Sequence, residues 1–261
     1  MLMKAVLGAT LLVLTACSGQ RDAVDSRATQ TPNDNTSPES TPSSTPAAPP
    51  SVARLPDGPV TPGRYRYVIL NTCDPKLGCH TKPRPELPDV LVSVPAGWTA
   101  ANEFHLIEPA TAASTGAPDG AALIMGWTSY WAALNSQPCS AVSHQIPDIK
   151  VGPTVEDFVD AVVAHPLLNV TEPKPVKLGR YRGEFLTLIG PADISDCEEE
   201  WRPWEPAPYL QGPANRWEIW VMDVRGVRVL IMAEYYPGTS AKIKAEVHDM
   251  AESIRFVPGK A

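Results

Sequence analysis

The sequence predicts an α+β fold: an antiparallel sheet with helices packed on one side. Three observations lead there. Apolar residues alternate at a spacing of two in several short stretches, two late stretches read as hairpins, and two segments show helical spacing.

The elements follow in chain order. Arg64-Tyr65-Arg66-Tyr67-Val68-Ile69-Leu70 alternates at first and is strand-like. Val90, Val92 and Val94 lie at strand spacing and run into a Pro95-Ala96-Gly97 turn before Trp98. Ala121 to Trp127, AALIMGW, is a further short apolar run. Thr154-Val155-Glu156-Asp157 opens a helix as a capping box, with Asp in place of the usual Glu or Gln. Phe158, Val159, Val162 and Val163 form its apolar stripe, and Pro166 stops it. Val176 to Ile189 predicts a hairpin that turns near Tyr181-Arg182-Gly183. In RWEIWVMDVRGVRVLIMAEYY, Trp217, Ile219, Val221 and Asp223 share one strand face, and Gly226 supplies the turn. Val229 to Ala233 is apolar throughout, which predicts a central strand. Ile243, Val247, Met250 and Ile254 recur at steps of four, three and four, as on a helix face docked to a sheet.

Ahead of all this, Lys4 precedes an apolar run from Ala5 to Leu14, broken only by Gly8 and Thr10. Those are the parts of a secretory signal, and the run is shorter than the roughly 20 residues a membrane-spanning helix needs. Leu14-Thr15-Ala16-Cys17 resembles the lipobox of bacterial lipoproteins. The resemblance implies a signal peptide over residues 1–16 and a diacylglyceryl group on Cys17, which becomes the N-terminus after cleavage. The expected location is therefore the cell membrane, lipid-anchored, facing outside the cytoplasm. Residues 27–50 contain no aromatic residue and no Val, Leu, Ile or Met, so they cannot bury enough apolar surface to offset the entropy of ordering them. Residues 17–61 thus read as a Pro/Ser/Thr-rich tether, about 35–40 Å end to end as a flexible coil, and 62–261 as one globular domain. From Pro62 onward 24 Asp and Glu face 18 Lys and Arg, a balance that argues against nucleic acid as a partner.

With Cys17 assigned to lipid, Cys73, Cys79, Cys139 and Cys197 remain, an even number for an oxidising compartment. Three pairings are possible. The short segment with Pro75 and Gly78 favours Cys73–Cys79, which leaves Cys139 with Cys197. Metal binding with His80 is the alternative, but no C-x-x-C is present.

The acidic stretch DISDCEEEWRPWEP, residues 193–206, offers Asp193, Asp196, Glu198, Glu199, Glu200 and Glu205 as oxygen ligands for a hard cation such as Ca²⁺. The spacing of an EF-hand loop is missing, so a solvated loop tied down by Cys197 is the preferred reading, with no metal and no cofactor. Trp201, Trp204 and Tyr209, with Trp127, Tyr130 and Trp131, form two aromatic groups that a Cys139–Cys197 bond would bring together. Aromatic faces near carboxylates can stack on sugar rings or grip a peptide; the preferred reading is a small core packed over the disulfide. Ser140, His144 and Asp148 are close in sequence, yet a triad requires converging geometry, and no G-x-S-x-G, S-x-x-K or H-E-x-x-H motif is present.

The order of strand, VPAGW turn, helix, hairpins and terminal helix ending in SIRF resembles PsbP-like domains and small lipoproteins of high-GC Gram-positive bacteria. Those folds serve as binding or assembly modules, so the resemblance implies binding and transfers no catalytic residue. The expected function is a membrane-anchored, non-catalytic binding module for a partner protein, peptide or envelope component such as a glycan. The alternative is an extracytoplasmic hydrolase with a carboxylate or metal site in the acidic loop 193–205.

Overall fold

Trp217 and Trp220 lie on one strand at positions of opposite parity, and both are buried. A strand with aromatic side chains buried on both faces must be covered from both sides. The computed structural model describes residues 52–67, 70–74, 78–83, 87–101, 105–107, 121–128, 133–141, 147–205 and 210–258. Its strands begin with β1 (Ala53–Arg54), β2 (Gly58–Pro59), β3 (Gly63–Tyr67), β4 (Leu70–Asp74), β5 (Gly78–Pro83) and β6 (Asp89–Val94). Next come β7 (Thr99–Ala101), β8 (His105–Ile107), β9 (Ala121–Thr128), β10 (Ala133–Leu134), β11 (Ile149–Lys150) and β12 (Asn169–Val170). The last are β13 (Lys174–Leu178), β14 (Tyr181–Ile189), β15 (Trp204–Glu205), β16 (Arg216–Val224), β17 (Val227–Tyr235) and β18 (Arg255–Val257). Two helices complete the described fold, α1 (Val155–Ala164) and α2 (Ala241–Ser253).

The main sheet runs β12-β14-β16-β17-β9-β8-β7-β2, with β13 beside β14, and β4 and β5 added next to β9. A four-stranded sheet has the order β1-β3-β6-β18, and a small one has the order β11-β10-β15. Apart from β1–β3 and β4–β9, the pairs are antiparallel. The α+β class and the antiparallel sheet are as predicted.

The helices differ from expectation. α1 packs on the face of β14, β16 and β17 that presents Leu186, Leu188, Trp217, Ile219, Val221, Leu230 and Met232. Trp220, Met222, Val224, Val229, Ile231 and Ala233 point the other way, into a core shared with α2 and the four-stranded sheet. The predicted helices on one side are thus one helix on each face, because β16 and β17 bury both of their alternating sets. The domain also starts earlier than residue 62. Leu55 and Val60 join the core, β1 pairs with β3 and β2 pairs with β7.

Local signals explain the individual elements. Thr154 accepts from the Asp157 N–H at 3.1 Å while the Asp157 carboxylate accepts from the Thr154 N–H at 2.9 Å, which closes the expected capping box. The buried stripe of α1 is Val155, Phe158, Val159 and Val162; Val163, predicted as its fourth member, is 46% exposed. A helix turn of about 100° per residue carries 163 off the stripe while bringing 155 onto it. Arg225 and Gly226, with φ of 60° and 78°, form the two-residue turn between Val224 and Val227. The earlier hairpin turns at Gly179-Arg180, two residues before the predicted position, with Leu178 paired to Tyr181. Gly179 takes the left-handed φ of 59° that the turn needs. Gly183 instead sits inside β14, where a Cβ would be driven into the Val221 carbonyl oxygen of β16. Close backbone approach requires that glycine.

Candidate functional site

At one end of the main sheet, the face beneath α1 changes from apolar to charged without changing parity. On β16, Asp223 continues the series Trp217, Ile219, Val221; on β17, Arg228 continues Met232 and Leu230 and pairs with Asp223 across the ladder. On β14, Glu184 and Arg182 extend Leu188 and Leu186, and Arg182 pairs with Lys177 of β13. The helix starts only at Val155, so Pro153 to Glu156 overhang this charged end. Between them lies a cavity of about 660 Å³.

Arg228 is the unusual residue of this groove. It lines the cavity and yet is only 2% exposed. Its Nη1 donates to the carbonyls of Gly152, at 2.6 Å, and Thr154, at 2.7 Å, which ties the entry to α1 onto β17. The guanidinium lies over the Phe158 ring at 5.1 Å from its centroid, a cation–π contact. Nε and Nη2 have no hydrogen-bond partner among the described residues. Burial pushes this group down to about 10, opposed by the negative charge of Asp157, so it is cationic at neutral pH. A buried charged donor without a partner is costly, and such groups in native proteins call for an explanation. The sequence carried a faint signal of it. Asp223 and Arg228 both break an apolar series on the same strand face of the hairpin.

The described residues among those singled out from the sequence fall elsewhere. Trp201 and Trp204 are 4% and 0% exposed and pack edge-on against Trp217, with ring centroids 6.1 and 5.5 Å apart. Trp204 also meets Phe158 at 5.3 Å. They fill the core beneath α1 and are not a binding face, because β15 pairs with β10 and draws this segment against the sheet. Trp127 lies in β9 with its backbone opposite Leu230; its side chain, and Tyr130, Trp131 and Tyr209 altogether, lie outside the described residues.

Cys139 and Cys197 are disulfide-bonded, as expected, with Cα atoms 4.4 Å apart and both residues packed against the core beneath α1. Cys73 and Cys79 stand opposite each other in the β4–β5 hairpin. Cys17 and the rest of residues 1–51 lie outside the described residues.

The acidic loop is organised by local contacts. Asp193 accepts from the Ser195 N–H, which holds its carboxyl below the usual range. Glu198 accepts from the Ala141 N–H at 2.9 Å, and Glu200 pairs with Arg202. Asp196 and Glu199 are exposed, and the side chain of Glu205 is outside the described residues. Among the described residues no three His, Cys, Asp or Glu side chains gather as metal ligands. Ser140 Oγ faces Glu198 at 3.4 Å, while Asp148 accepts from the N–H of Ser136 at 2.8 Å; His144 is outside the described residues. Ser140 and Asp148 therefore serve different partners.

Fold and groove together define an α+β domain with a two-sided antiparallel sheet and a polar groove at the N-terminus of α1. No protein-family model matches the chain, and no curated protein sequence matches it either.

Proposed function

We propose that this chain is a membrane-anchored surface lipoprotein whose domain is a non-catalytic binding module for an envelope component. The anchor rests on the lipobox-like Leu14-Thr15-Ala16-Cys17, and the Cys139–Cys197 disulfide fits an oxidising compartment outside the cytoplasm. The observation that carries binding is the groove with its buried, incompletely paired Arg228. A concave site with a few converging polar groups is the usual form of a small-ligand site. The likeness to PsbP-like lipoproteins supports the same reading from the sequence.

Two experiments test it. Cys17→Ala should release the protein from the membrane fraction without changing its unfolding transition; a variant that stays membrane-bound overturns the anchor. Crosslinking the full chain in its native envelope, followed by capture, should recover a saturable envelope component. Capture of nothing beyond a mock sample overturns the binding reading.

A further inference from the structure

We propose that the groove is a carboxylate site in which Arg228 takes one carboxylate of the ligand side-on; this rests on the reading of the domain as a binding module. The geometry of the guanidinium selects the ligand group. Nη1 has two hydrogens, and it donates to two carbonyls, Gly152 and Thr154. The nitrogens left without a partner, Nε and Nη2, share one edge of the planar group. That edge presents two parallel N–H bonds at the spacing of the two oxygens of a carboxylate.

The surroundings favour a monoanion over phosphate. Lys177, Arg182 and Arg228 are balanced in the lining by Glu156, Glu184 and Asp223, so a dianion would meet as many acids as bases. The helix N-terminus, the ordinary phosphate cradle, is partly engaged as well. The Thr154 and Asp157 N–H groups are taken by the capping box. At the mouth, Lys177 and Arg182 are exposed and stand directly opposite each other across β13–β14. Like charges placed so are unfavourable in the empty sheet and attract an anion to this end of the groove. Nε and Nη2 are shielded from solvent, so binding there requires the overhanging Pro153–Glu156 segment to shift. The same enclosure strengthens the bond once it is made.

A carboxylate can come from a peptide terminus or from a sugar acid, and the test separates them. The ¹⁵N-labelled full chain in detergent is titrated with acetyl-dialanine, its C-terminal amide, glucuronate, methyl glucuronate and inorganic phosphate. The Arg228 Nε–H signal and the amides of Gly152 to Glu156 should move saturably with a free carboxylate and stay in place with its neutral counterpart. Movement with acetyl-dialanine alone identifies a peptide source, and with glucuronate alone a sugar acid. Arg228→Lys keeps a charge but loses the two-nitrogen edge, and should weaken binding about tenfold or more. Because that variant also loses bonds to two carbonyls, Arg182→Glu at the exposed mouth serves beside it. It should weaken binding several-fold without lowering the unfolding transition, since the new carboxylate would face Lys177 with opposite charge. An Arg228 signal unmoved by either acid, or moved equally by acid and neutral counterpart, overturns the proposal, as does tighter binding of phosphate. If an envelope component is captured while both carboxylates fail, the carboxylate site falls and the binding module stands. If the carboxylates bind and nothing is captured, the site stands and the module's partner reading falls.

Discussion

The two faces of the main sheet are covered in different ways, and the groove lies where one cover runs short. The face holding Trp220, Met222 and Ile231 is closed by α2 together with the four-stranded sheet, which Trp98 of the VPAGW turn pins to Glu246 of α2 at 3.1 Å. The face holding Trp217, Ile219 and Leu230 is closed by the ten residues of α1 and by a loop held through Cys139–Cys197. That loop brings in Trp201 and Trp204 as cover. Beyond the start of α1 the sheet continues with charges, and Arg182, Glu184, Asp223 and Arg228 line the groove there. The groove thus arises from a mismatch in length between a helix and the strands it covers.

The sharpest way to break the comparison is to remove one Trp from each face. Trp217→Ala and Trp220→Ala should each cost about 3–5 kcal/mol in denaturant unfolding. Hydrogen exchange separates them. The first should speed exchange in α1 and residues 193–204, and the second in α2 and β6. Equal loosening of both helices by either variant would mean that the faces are not separate cores. Next in size, Cys139→Ala should cost about 2–4 kcal/mol while leaving the α2 face protected, and should leave the protein in the membrane fraction. Gly183→Ala should cost about 1–3 kcal/mol by forcing β14 from β16 at the groove.

Smallest is the cap of α1. Thr154→Ala should cost about 1 kcal/mol by thermal unfolding. The backbone N–H and the side chain of Thr154 hold the Asp157 carboxyl below its ordinary range, with a lesser contribution from Arg228. Its contribution is therefore complete above the ordinary carboxylate range and is lost as pH falls through the lowered value. Asp157→Ala should be less stable than the wild type at neutral pH, and the difference should close in acid. A gap that persists at low pH would assign the loss to packing instead of the cap.

Part of this architecture is legible in the amino-acid sequence. The capping box at Thr154, the Arg225-Gly226 turn and the burial of Val247, Met250 and Ile254 were legible because each depends on residues within a turn or two of one another. Gly183 reads as a turn residue in the sequence and lies inside β14 in the fold. A glycine needed for positive φ and one needed for close approach look alike in a sequence, and the Val221 carbonyl that decides between them lies 38 positions away. Trp201 and Trp204 read in the sequence as either a binding face or a small core over the disulfide, because an aromatic side chain suits a contact surface or a core equally well. Their burial depends on the pairing of β15 with β10.

By itself the sequence determined the α+β class, the parity of the strands and the ends of α1, since spacing and backbone preference act locally. It did not determine which face each helix covers, nor that Arg228 is buried against the entry to α1 with one edge unpaired. Those depend on what meets the sheet from distant parts of the chain. A side chain acquires its burial and its partners only when such neighbours arrive, and that made a strand arginine the centre of the groove.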